Sequence, residues 1–530
     1  MNDRLDLTVP IAVHVIGIGG AGMRAIASVL AAMGHTVTGS DLRESAGLDR
    51  LRAEGIDVTI GHDAANVGSV DLVTRSTAVP DANPEVGAAN ERGIPVASRA
   101  ETLAAITRVR PTIAVAGTHG KTTTSSMLAV VLREAGLDPS FIIGGELNEV
   151  GSGAVWTDDD GWFVVEADES DGTFLRLASD RAIVTSVEPD HLGHYGDEAA
   201  LVESFAAFAE GVASGGLVVC ADDPGAAALA TDERVSTYGT DPGADWVISD
   251  YESGRATSGF RIVGPHGFDE VFELATPGLH NVRNATAAIV SAHQLGADVD
   301  ALRLALAKFG GVARRFQYRG ARDGVTFIDD YAHLPAEVEA AREAASNGGW
   351  DRVVCVFQPH RYTRTRDLWE SFGNAFAGAD ELVVTGIYPA GEAPLPGVTG
   401  KLIVDAVTEA DPSRPVTYLP HREELRTYLR ATLQAGELCL THGAVDLTTL
   451  ADELLQPRHC PRRQCGATAT TSPVNSTLAS ERAGRPPMSR WAHCPRIESV
   501  GTRRGSWWRN PRPICSSSPR LSASSGSRAP

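Results

Sequence analysis

The sequence of 530 residues contains no apolar run that approaches the ~20 residues of a membrane-spanning helix. Residues 1–16 mix acidic and basic side chains and lack a small-residue cleavage site, so we expect no signal peptide. Cysteine is also scarce. Only Cys220, Cys355 and Cys439 precede residue 457, each within an apolar, strand-like run. We therefore expect buried free thiols, no membrane insertion and a location in the reducing cytoplasm.

Positive charge is in deficit over most of the chain. The formal net charge of −20 at pH 7 argues against nucleic-acid binding, although a local site can still hold a small anion. Residues 457–530 are the exception, with 13 Arg, no Lys and a net charge of +11. This tail is rich in Ser and Pro and has no hydrophobic periodicity, so we expect it to be disordered.

Two other interpretations of the tail are a basic nucleic-acid arm and a metal site. Neither is favoured, because the candidate ligands follow no recognised metal-binding spacing. Those ligands are Cys460, Cys465, His493 and Cys494.

Hydrophobic residues make up 43% of the sequence, which is ample for a core, and the length predicts roughly three domains of about 150 residues each. Strand-like and helix-like stretches alternate, which is typical of α/β sheets. We predict an α/β fold with a Rossmann-like domain over 1–108, a central domain over 109–311 and a second Rossmann-like domain over 312–456.

The segment Thr112–Thr124, TIAVAGTHGKTTT, is the most informative. An apolar β-branched run leads into a loop that contains Gly117 and Gly120, and a helix-compatible run follows. Backbone N–H groups, a helix N-terminus and Lys121 would together favour phosphate, and Thr122 has the hydroxyl that a phosphate-bound Mg²⁺ takes as a ligand. Val115 stands where the strict P-loop pattern has Gly, so a glycine turn with a surface lysine is the alternative. We expect the loop to hold the β- and γ-phosphates of ATP.

A second glycine pattern follows the first predicted strand. Gly17, Gly19 and Gly22 satisfy G-x-G-x-x-G, and Asp41 ends the next strand. Taken alone, the pattern favours NAD, but any nucleotide diphosphate suits the same geometry. Glycines that serve packing only are the remaining interpretation.

Carboxylates cluster where a buried strand, GWFVVE, ends in the second domain. Beside a phosphate loop they are suited to hold Mg²⁺, and the alternative is a solvated acidic loop. They are Glu166, Asp168, Glu169 and Asp171. His191 follows Asp190 at the end of another strand, where a histidine is more often structural than a ligand.

Further polar residues gather later in the chain. The short alternating runs of residues 239–277 predict β-hairpins. After them, Asn281 and Asn284 lie three residues apart on the predicted first turn of a helix, where an Asn can also serve as a helix cap. Ligands in open α/β sheets bind at the carboxyl ends of strands. The residues predicted at such ends in the third domain are Asp329, Asp330, Tyr331, His333, His360, Arg361 and Arg364. The two arginines would suit a carboxylate, or could simply be surface residues.

Together these motifs resemble the Mur ligases from about residue 11 to about residue 455. The resemblance rests on nine motifs in order: GIGGAGM, GTHGKTTT, EADESDGTF, EPDH, HNVRNA, RRFQ, DDYAH, FQPHRYTRT and THGAVD. It implies three domains that bind a UDP-sugar, ATP and an amino acid. It also implies that GIGGAGM receives the diphosphate of the UDP-sugar instead of NAD.

The resemblance further implies a role for each matched residue. Residues implied to act in catalysis are Lys121, Glu166, His191, Arg315 and His333. Those implied to bind ATP are Gly117, Thr118, His119, Gly120, Lys121, Thr122, Thr123, Asn281, Asn284, Arg315 and Asp330. The implied UDP-sugar residues are Gly17, Gly19, Gly20, Gly22, Asp41 and Ser76. The implied amino-acid residues are Tyr331, His333, Arg361 and Arg364, and the implied metal ligands are Thr122, Glu166 and His191.

The implied activity is ATP-dependent ligation of L-alanine to the carboxylate of UDP-N-acetylmuramate through an acyl phosphate, with Mg²⁺, in peptidoglycan precursor synthesis. Three positions depart from the family pattern, where Leu334 replaces a second His, Gly391 an Arg and Val445 a Gly. The resemblance does not extend to the tail, which we expect to be a frameshifted or misjoined C-terminus. The competing interpretations are a ligase for another amino acid or peptide, an NAD-dependent oxidoreductase and a non-catalytic nucleotide sensor.

Overall fold

In the computed structural model of the protein, three β-sheets, each flanked by helices, organise the residues that the structure describes. The structure describes residues 5–148, 150–443 and 447–456. Val445 and the tail 457–530 lie outside the described residues. Within the described residues, no helix has both the length and the apolar character to cross a membrane.

The first sheet is parallel with the strand order β3-β2-β1-β4-β5. The strand order reverses between β1 and β4. There the carboxyl end of β1 continues into residues 17–20, which precede α1 and are called the glycine loop below. Such a switch point is the usual ligand site of an open α/β sheet. The elements are β1 (Ala12–Ile16), α1 (Ala21–Ala32), β2 (Thr36–Asp41), α2 (Ala46–Ala53), β3 (Asp57–Ile60), β4 (Leu72–Arg75), α3 (Pro84–Glu91), β5 (Val96–Ser98) and α4 (Arg99–Thr107).

The second sheet has ten strands in the order β15-β14-β13-β12-β11-β10-β6-β9-β7-β8. Its middle is parallel, while β13 to β15 form the predicted hairpins and β8 pairs antiparallel with β7. The elements are β6 (Thr112–Ala116), α5 (Lys121–Glu134), β7 (Ser140–Leu147), β8 (Ser152–Val155), β9 (Phe163–Glu166), β10 (Arg181–Val184), α6 (Leu192–Tyr195), α7 (Glu198–Glu210), β11 (Leu217–Cys220), α8 (Pro224–Ala227), β12 (Ser236–Gly239), β13 (Trp246–Ser253), β14 (Ser258–Val263), β15 (Asp269–Leu274), α9 (Leu279–Gln294) and α10 (Val299–Ala307).

The third sheet has the order β16-β17-β21-β18-β19-β20, with β16 alone antiparallel. The elements are β16 (Gln317–Arg322), β17 (Val325–Asp330), α11 (Pro335–Ser346), β18 (Val353–Phe357), α12 (Tyr362–Leu368), β19 (Glu381–Val384), α13 (Lys401–Ala410), β20 (Val416–Tyr418), α14 (Arg422–Thr432), β21 (Leu438–His442) and α15 (Thr449–Leu455). Short 3₁₀ helices lie at Ala64–Asn66, Thr173–Arg176, Pro265–Gly267 and Trp369–Phe372.

The hydrophobic core follows these sheets. One large cluster of buried side chains joins the first two sheets, and the third sheet packs separate clusters. Side chains such as Phe163 and Phe357 are fully buried, and each such burial stabilises the fold by about 1.5–3 kcal/mol. The α/β prediction is confirmed, and Cys220, Cys355 and Cys439 are buried free thiols as expected.

Candidate active site

The loop from Gly117 to Gly120, the predicted phosphate loop, connects β6 with α5 as expected. The backbone N–H of Thr118 donates a hydrogen bond to the carbonyl oxygen of Ser186, just past the end of β10 (2.9 Å). Gly117 and Gly120 have φ angles of +132° and +79°, a region that favours glycine. A Cβ atom on Gly117 would lie 2.1 Å from Thr185 Oγ1, and one on Gly120 would lie 2.6 Å from Asn284 Oδ1. Conformation and space therefore both require glycine here, which leaves the backbone accessible to a phosphate at the N-terminus of α5.

Lys121, the first residue of α5, folds back over this loop. Its Nζ donates hydrogen bonds to the carbonyl oxygens of Gly117 (2.6 Å) and Thr118 (3.2 Å) and lies 2.7 Å from Glu169 Oε2. Burial raises the pKa of Glu169 to about 7, although Lys121 opposes that shift. Burial acts to lower the pKa of Lys121, but the attraction of Glu169 outweighs it and the pKa is raised. The lysine of the phosphate loop thus has a buried carboxylate partner that the sequence analysis did not assign to it.

The three predicted metal ligands form two separate groups. Thr122 Oγ1 donates to Glu166 Oε1 (3.1 Å), and the backbone N–H of Gly144 donates to Glu166 Oε2 (2.8 Å). His191 Nε2 instead lies 3.2 Å from Asp190 Oδ2 and 3.9 Å from Glu169 Oε1. Over the described ranges, no three or more His, Cys, Asp and Glu side chains are grouped as they would be around a metal ion.

A cavity of about 260 Å³ lies beside the phosphate loop, between α9 and α11. The predicted nucleotide residues that line it are His119, Gly120, Thr123, Asn281, Asn284, Arg315 and Asp330. The prediction that both asparagines lie on the first helical turn is wrong for Asn284, because α9 begins at Leu279 and places Asn284 in its second turn. Asn281 does not cap α9: its Nδ2 donates to the carbonyl oxygen of Pro277 (2.8 Å), and the helix has Gly278 as N-cap with no side-chain capping hydrogen bond. Burial raises the pKa of Asp330 to about 6.

Glu337 on α11 joins this cavity to the third sheet, and the sequence analysis did not identify it. Its Oε1 lies 3.5 Å from His119 Nδ1 and 3.7 Å from Arg315 Nη1, and its Oε2 lies 3.4 Å from His333 Nδ1. Burial acts to lower the pKa of His119, but hydrogen bonds with Glu188 and Glu337 outweigh it and raise that pKa to about 9. One carboxylate therefore contacts three basic side chains, one of them from the phosphate loop.

A second cavity, of about 440 Å³, opens at the glycine loop of the first sheet. The predicted residues that line it are Gly20, Gly22, Ser76, His191 and Arg361. Asp41 Oδ2 accepts a hydrogen bond from the backbone N–H of Gly19 (2.8 Å), and a Cβ atom on Gly17 would lie 3.2 Å from the Cβ of Ser76. Arg99, which the sequence analysis missed, also lines this cavity and pairs with Asp168 (3.3 Å) and Asp171 (3.1 Å).

The predicted amino-acid residues lie past the ends of β17 and β18. The His333 ring contacts the rings of Tyr331 and His360, with centroids 5.2 and 5.1 Å apart. Burial lowers the pKa of His333 to about 4. Arg361 is exposed, whereas Arg364 donates from Nη2 to both oxygens of Asp190 (3.2 and 3.3 Å).

Comparisons with known proteins agree with this arrangement. The Mur ligase family catalytic domain matches residues 12–110, the Mur ligase middle domain 115–292 and the Mur ligase glutamate ligase domain 314–445. The UDP-N-acetylmuramate--L-alanine ligase of Kineococcus radiotolerans is 49% identical over 84% of this chain and 95% of its own length. The chain belongs to the Mur ligase family.

Two further relatives of this Mur ligase extend the comparison. The UDP-N-acetylmuramate--L-alanine ligase of Bradyrhizobium sp. is 44% identical over 83% of this chain and 96% of its own length. The crystal structure of the UDP-N-acetylmuramate-alanine ligase MurC from Thermotoga maritima superposes with a TM-score of 0.70 at 28% identity, covering 84% of this chain and 98% of that one.

The departures from the Mur ligase pattern have local structural correlates. Leu334 is buried, with 4% of its surface exposed, immediately before α11. Gly391 has a φ angle of +88°, which an arginine would adopt only with strain, and Ala390 before it is also at positive φ. The backbone at position 391 therefore suits glycine and would be strained by the arginine of the family pattern.

Proposed function

We propose that this Mur ligase joins L-alanine to the carboxylate of UDP-N-acetylmuramate at the expense of ATP. One observation carries the proposal. The cavity at the glycine loop is lined by Ser76 of the first sheet, His191 of the second and Arg361 of the third. An enzyme that must bring a UDP-sugar, a triphosphate and an amino acid together needs such a junction. We also propose domain boundaries at 108/109 and 311/312, peptidoglycan precursor synthesis as the process and the cytoplasm as the location.

The reaction has two chemical steps. A carboxylate is a poor electrophile, so the γ-phosphoryl group of ATP is first transferred to the muramoyl carboxylate, which gives an acyl phosphate and ADP. The neutral amine of L-alanine then attacks the acyl carbon, and the tetrahedral intermediate expels phosphate. Lys121 leaves Glu169 and neutralises charge on the transferred group, which is electrostatic catalysis by a preorganised cation.

Residues of the chain fit a magnesium ion near Thr122. Glu166 and Thr122 offer a carboxylate and a hydroxyl oxygen already in contact, and Mg²⁺ prefers oxygen ligands. His191 would have to move from Asp190 to join them. When bound, the metal would neutralise phosphate charge, and Glu166 and Thr122 would hold and orient it.

Of His191 and His333, His333 is the better candidate to accept the proton of the attacking amine. Its Nδ1 lies 2.9 Å from the carbonyl oxygen of Tyr331 and 3.4 Å from a Glu337 oxygen, so Nδ1 carries the hydrogen. Nε2 is then the free base, and the lowered pKa of His333 keeps the ring neutral at pH 7.

The decisive experiment measures ADP release by the full chain with UDP-N-acetylmuramate, Mg²⁺ and each amino acid in turn. We expect release that requires the UDP-sugar and is fastest with L-alanine. Release driven best by another amino acid would replace L-alanine in the proposal. No release with any amino acid, despite measurable ATP binding, would favour a nucleotide sensor, and NADH binding would favour an oxidoreductase.

A further inference from the structure

Arg364, one of the two arginines proposed to bind the carboxylate of the amino acid, already holds a carboxylate. Both oxygens of Asp190 accept from its Nη2, at 3.2 and 3.3 Å, and its Nη1 contacts His360 Nδ1 at 2.9 Å. The side chains of Arg364 and Asp190 are each only 9% exposed. Asp190 belongs to the segment after β10 in the second sheet, so the contact joins two of the three sheets.

Arg361, three residues earlier, differs in this respect. It is exposed, lines the cavity at the glycine loop, and has no ion pair within 4 Å among the described residues. An incoming carboxylate can meet Arg361 directly. It can reach the Nη2 of Arg364 only when Asp190 gives way.

We propose that Asp190 determines substrate specificity by competing with the substrate for Arg364, and that an amino-acid zwitterion resolves the competition by inserting between the two side chains. The inference rests on the proposed function. The α-carboxylate takes the place of Asp190 on Arg364, and the α-ammonium takes the place of Arg364 beside Asp190. Each buried charge then keeps an opposite partner.

This arrangement selects for a molecule with both charges. A carboxylic acid without an amine would free Arg364 from Asp190 but leave Asp190 buried without its counter-ion. An amine without a carboxylate would separate Asp190 from Arg364 but leave Arg364 buried without its counter-ion. Uncompensated buried charge disfavours both complexes, so the pair rejects half-substrates without any contact to the methyl group of alanine.

The test compares L-alanine with its two single-charge fragments, propanoate and ethylamine, on the full chain saturated with UDP-N-acetylmuramate and a non-hydrolysable ATP analogue. Dissociation constants are measured by calorimetry. For the unaltered protein we expect both fragments to bind at least about 100-fold more weakly than L-alanine. Propanoate that binds as well as L-alanine would overturn the proposal, and this result does not depend on any variant folding.

The variant Asp190→Asn removes the charge but keeps the shape. We expect the ratio of the propanoate to the L-alanine dissociation constant to fall at least about tenfold, because the competitor is gone and the ammonium has lost its partner. Asp190→Glu should restore the ratio toward that of the unaltered protein. Asp367→Asn is the matched control, since it removes a charge from the same helix as Arg364 at an exposed site that pairs with Arg366.

An unchanged ratio in Asp190→Asn, or an equal fall in Asp367→Asn, would overturn the role of Asp190. The two proposals fail separately. If the unaltered protein ligates no L-alanine while Asp190→Asn still tightens propanoate binding, the proposed function is wrong and the competition for Arg364 stands. If the protein ligates L-alanine while the ratio of dissociation constants in Asp190→Asn equals that of the unaltered protein, the proposed function stands and the role of Asp190 is wrong.

Discussion

The Nζ atom of Lys121 lies 2.7 Å from Glu169 Oε2, so the phosphate loop holds its lysine against a buried carboxylate. A phosphoryl group that enters the loop competes with Glu169 for this cation. Because burial raises the pKa of Glu169 to about 7, the carboxyl group can be protonated at little cost once Lys121 has turned away.

Lys121→Ala should abolish ligation and leave the fold intact. Loss of this cation removes several kcal/mol of transition-state stabilisation, at least about a hundredfold in rate. Glu169 is not left as a buried anion, because it can take up a proton. The measurement is ADP release, with the melting temperature as the check on folding. Lys401→Ala, at an exposed helical site, is the control. Ligation within tenfold of the unaltered protein would exclude the proposed role.

Glu166→Gln should raise the Mg²⁺ concentration needed for half-maximal activity by about tenfold or more, because an amide is a weaker ligand for Mg²⁺ than a carboxylate. His191→Asn should act in the same direction. Activity is measured against Mg²⁺ concentration, and Glu203→Gln, an exposed glutamate of α7, is the control. Curves that coincide for both variants and the control would reduce Glu166 and His191 to structural roles.

Arg361→Ala should raise the KM for L-alanine by about 10–100-fold, the usual worth of a charged hydrogen bond, and spare the KM for ATP. Arg364→Ala should also weaken use of L-alanine. Since Arg361 lines the cavity of the glycine loop, its loss should also weaken UDP-sugar binding to a smaller degree. Arg366→Ala, at an exposed position of α12, the helix that follows Arg361, serves as the control. A rise in the KM for ATP alone would contradict the assignment of this sheet to the amino acid.

His119→Asn should lower the melting temperature by several degrees at pH 6.5 and by progressively less up to pH 9. The pKa of His119 is raised in the folded chain to about 9, above the 6.5 of the unfolded chain. Its contribution is therefore full below pH 6.5 and is lost as the pH rises through 9. Melting curves at several pH values test this, with His421→Asn as the exposed control. A difference that grows with pH would contradict the assigned ion pairs.

Removal of residues 457–530 should leave ligase activity and the melting temperature essentially unchanged. Within the described residues, α15 buries Leu450, Ala451 and Leu454 in the core of the third sheet, and the cut falls after Gln456. The removed sequence has no apolar periodicity with which to offset an ordering cost of roughly 1–2 kcal/mol per residue. A truncated protein that loses activity, or melts several degrees lower, would show that the tail contributes to the fold.

The sequence allowed the individual strand ends to be predicted but not their partners across the sheets. Glu166 and Asp330 follow apolar runs, and carboxyl ends of parallel strands meet at one edge, so their place in a site could be foreseen. The contacts of Arg364 with Asp190 and of His119 with Glu337 depend on how separate sheets face each other. No local periodicity encodes that. Glu337 also has the spacing of an ordinary helical surface residue, and only the packing of α11 against the phosphate loop gives it a role.

The carboxylate of Glu337 has a consequence for motion. His119, Arg315 and His333 all contact its two oxygens, and His119 belongs to the second sheet while α11 belongs to the third. A hinge movement that separated these sheets would remove the counter-charge of His119 from the buried carboxylate of Glu337, and would also disturb the ion pair of Asp190 with Arg364. A partly opened state would leave these buried charges without partners, so opening should be cooperative. A pair of distance labels on α5 and α11 should then report two discrete separations that exchange, and no continuous spread between them.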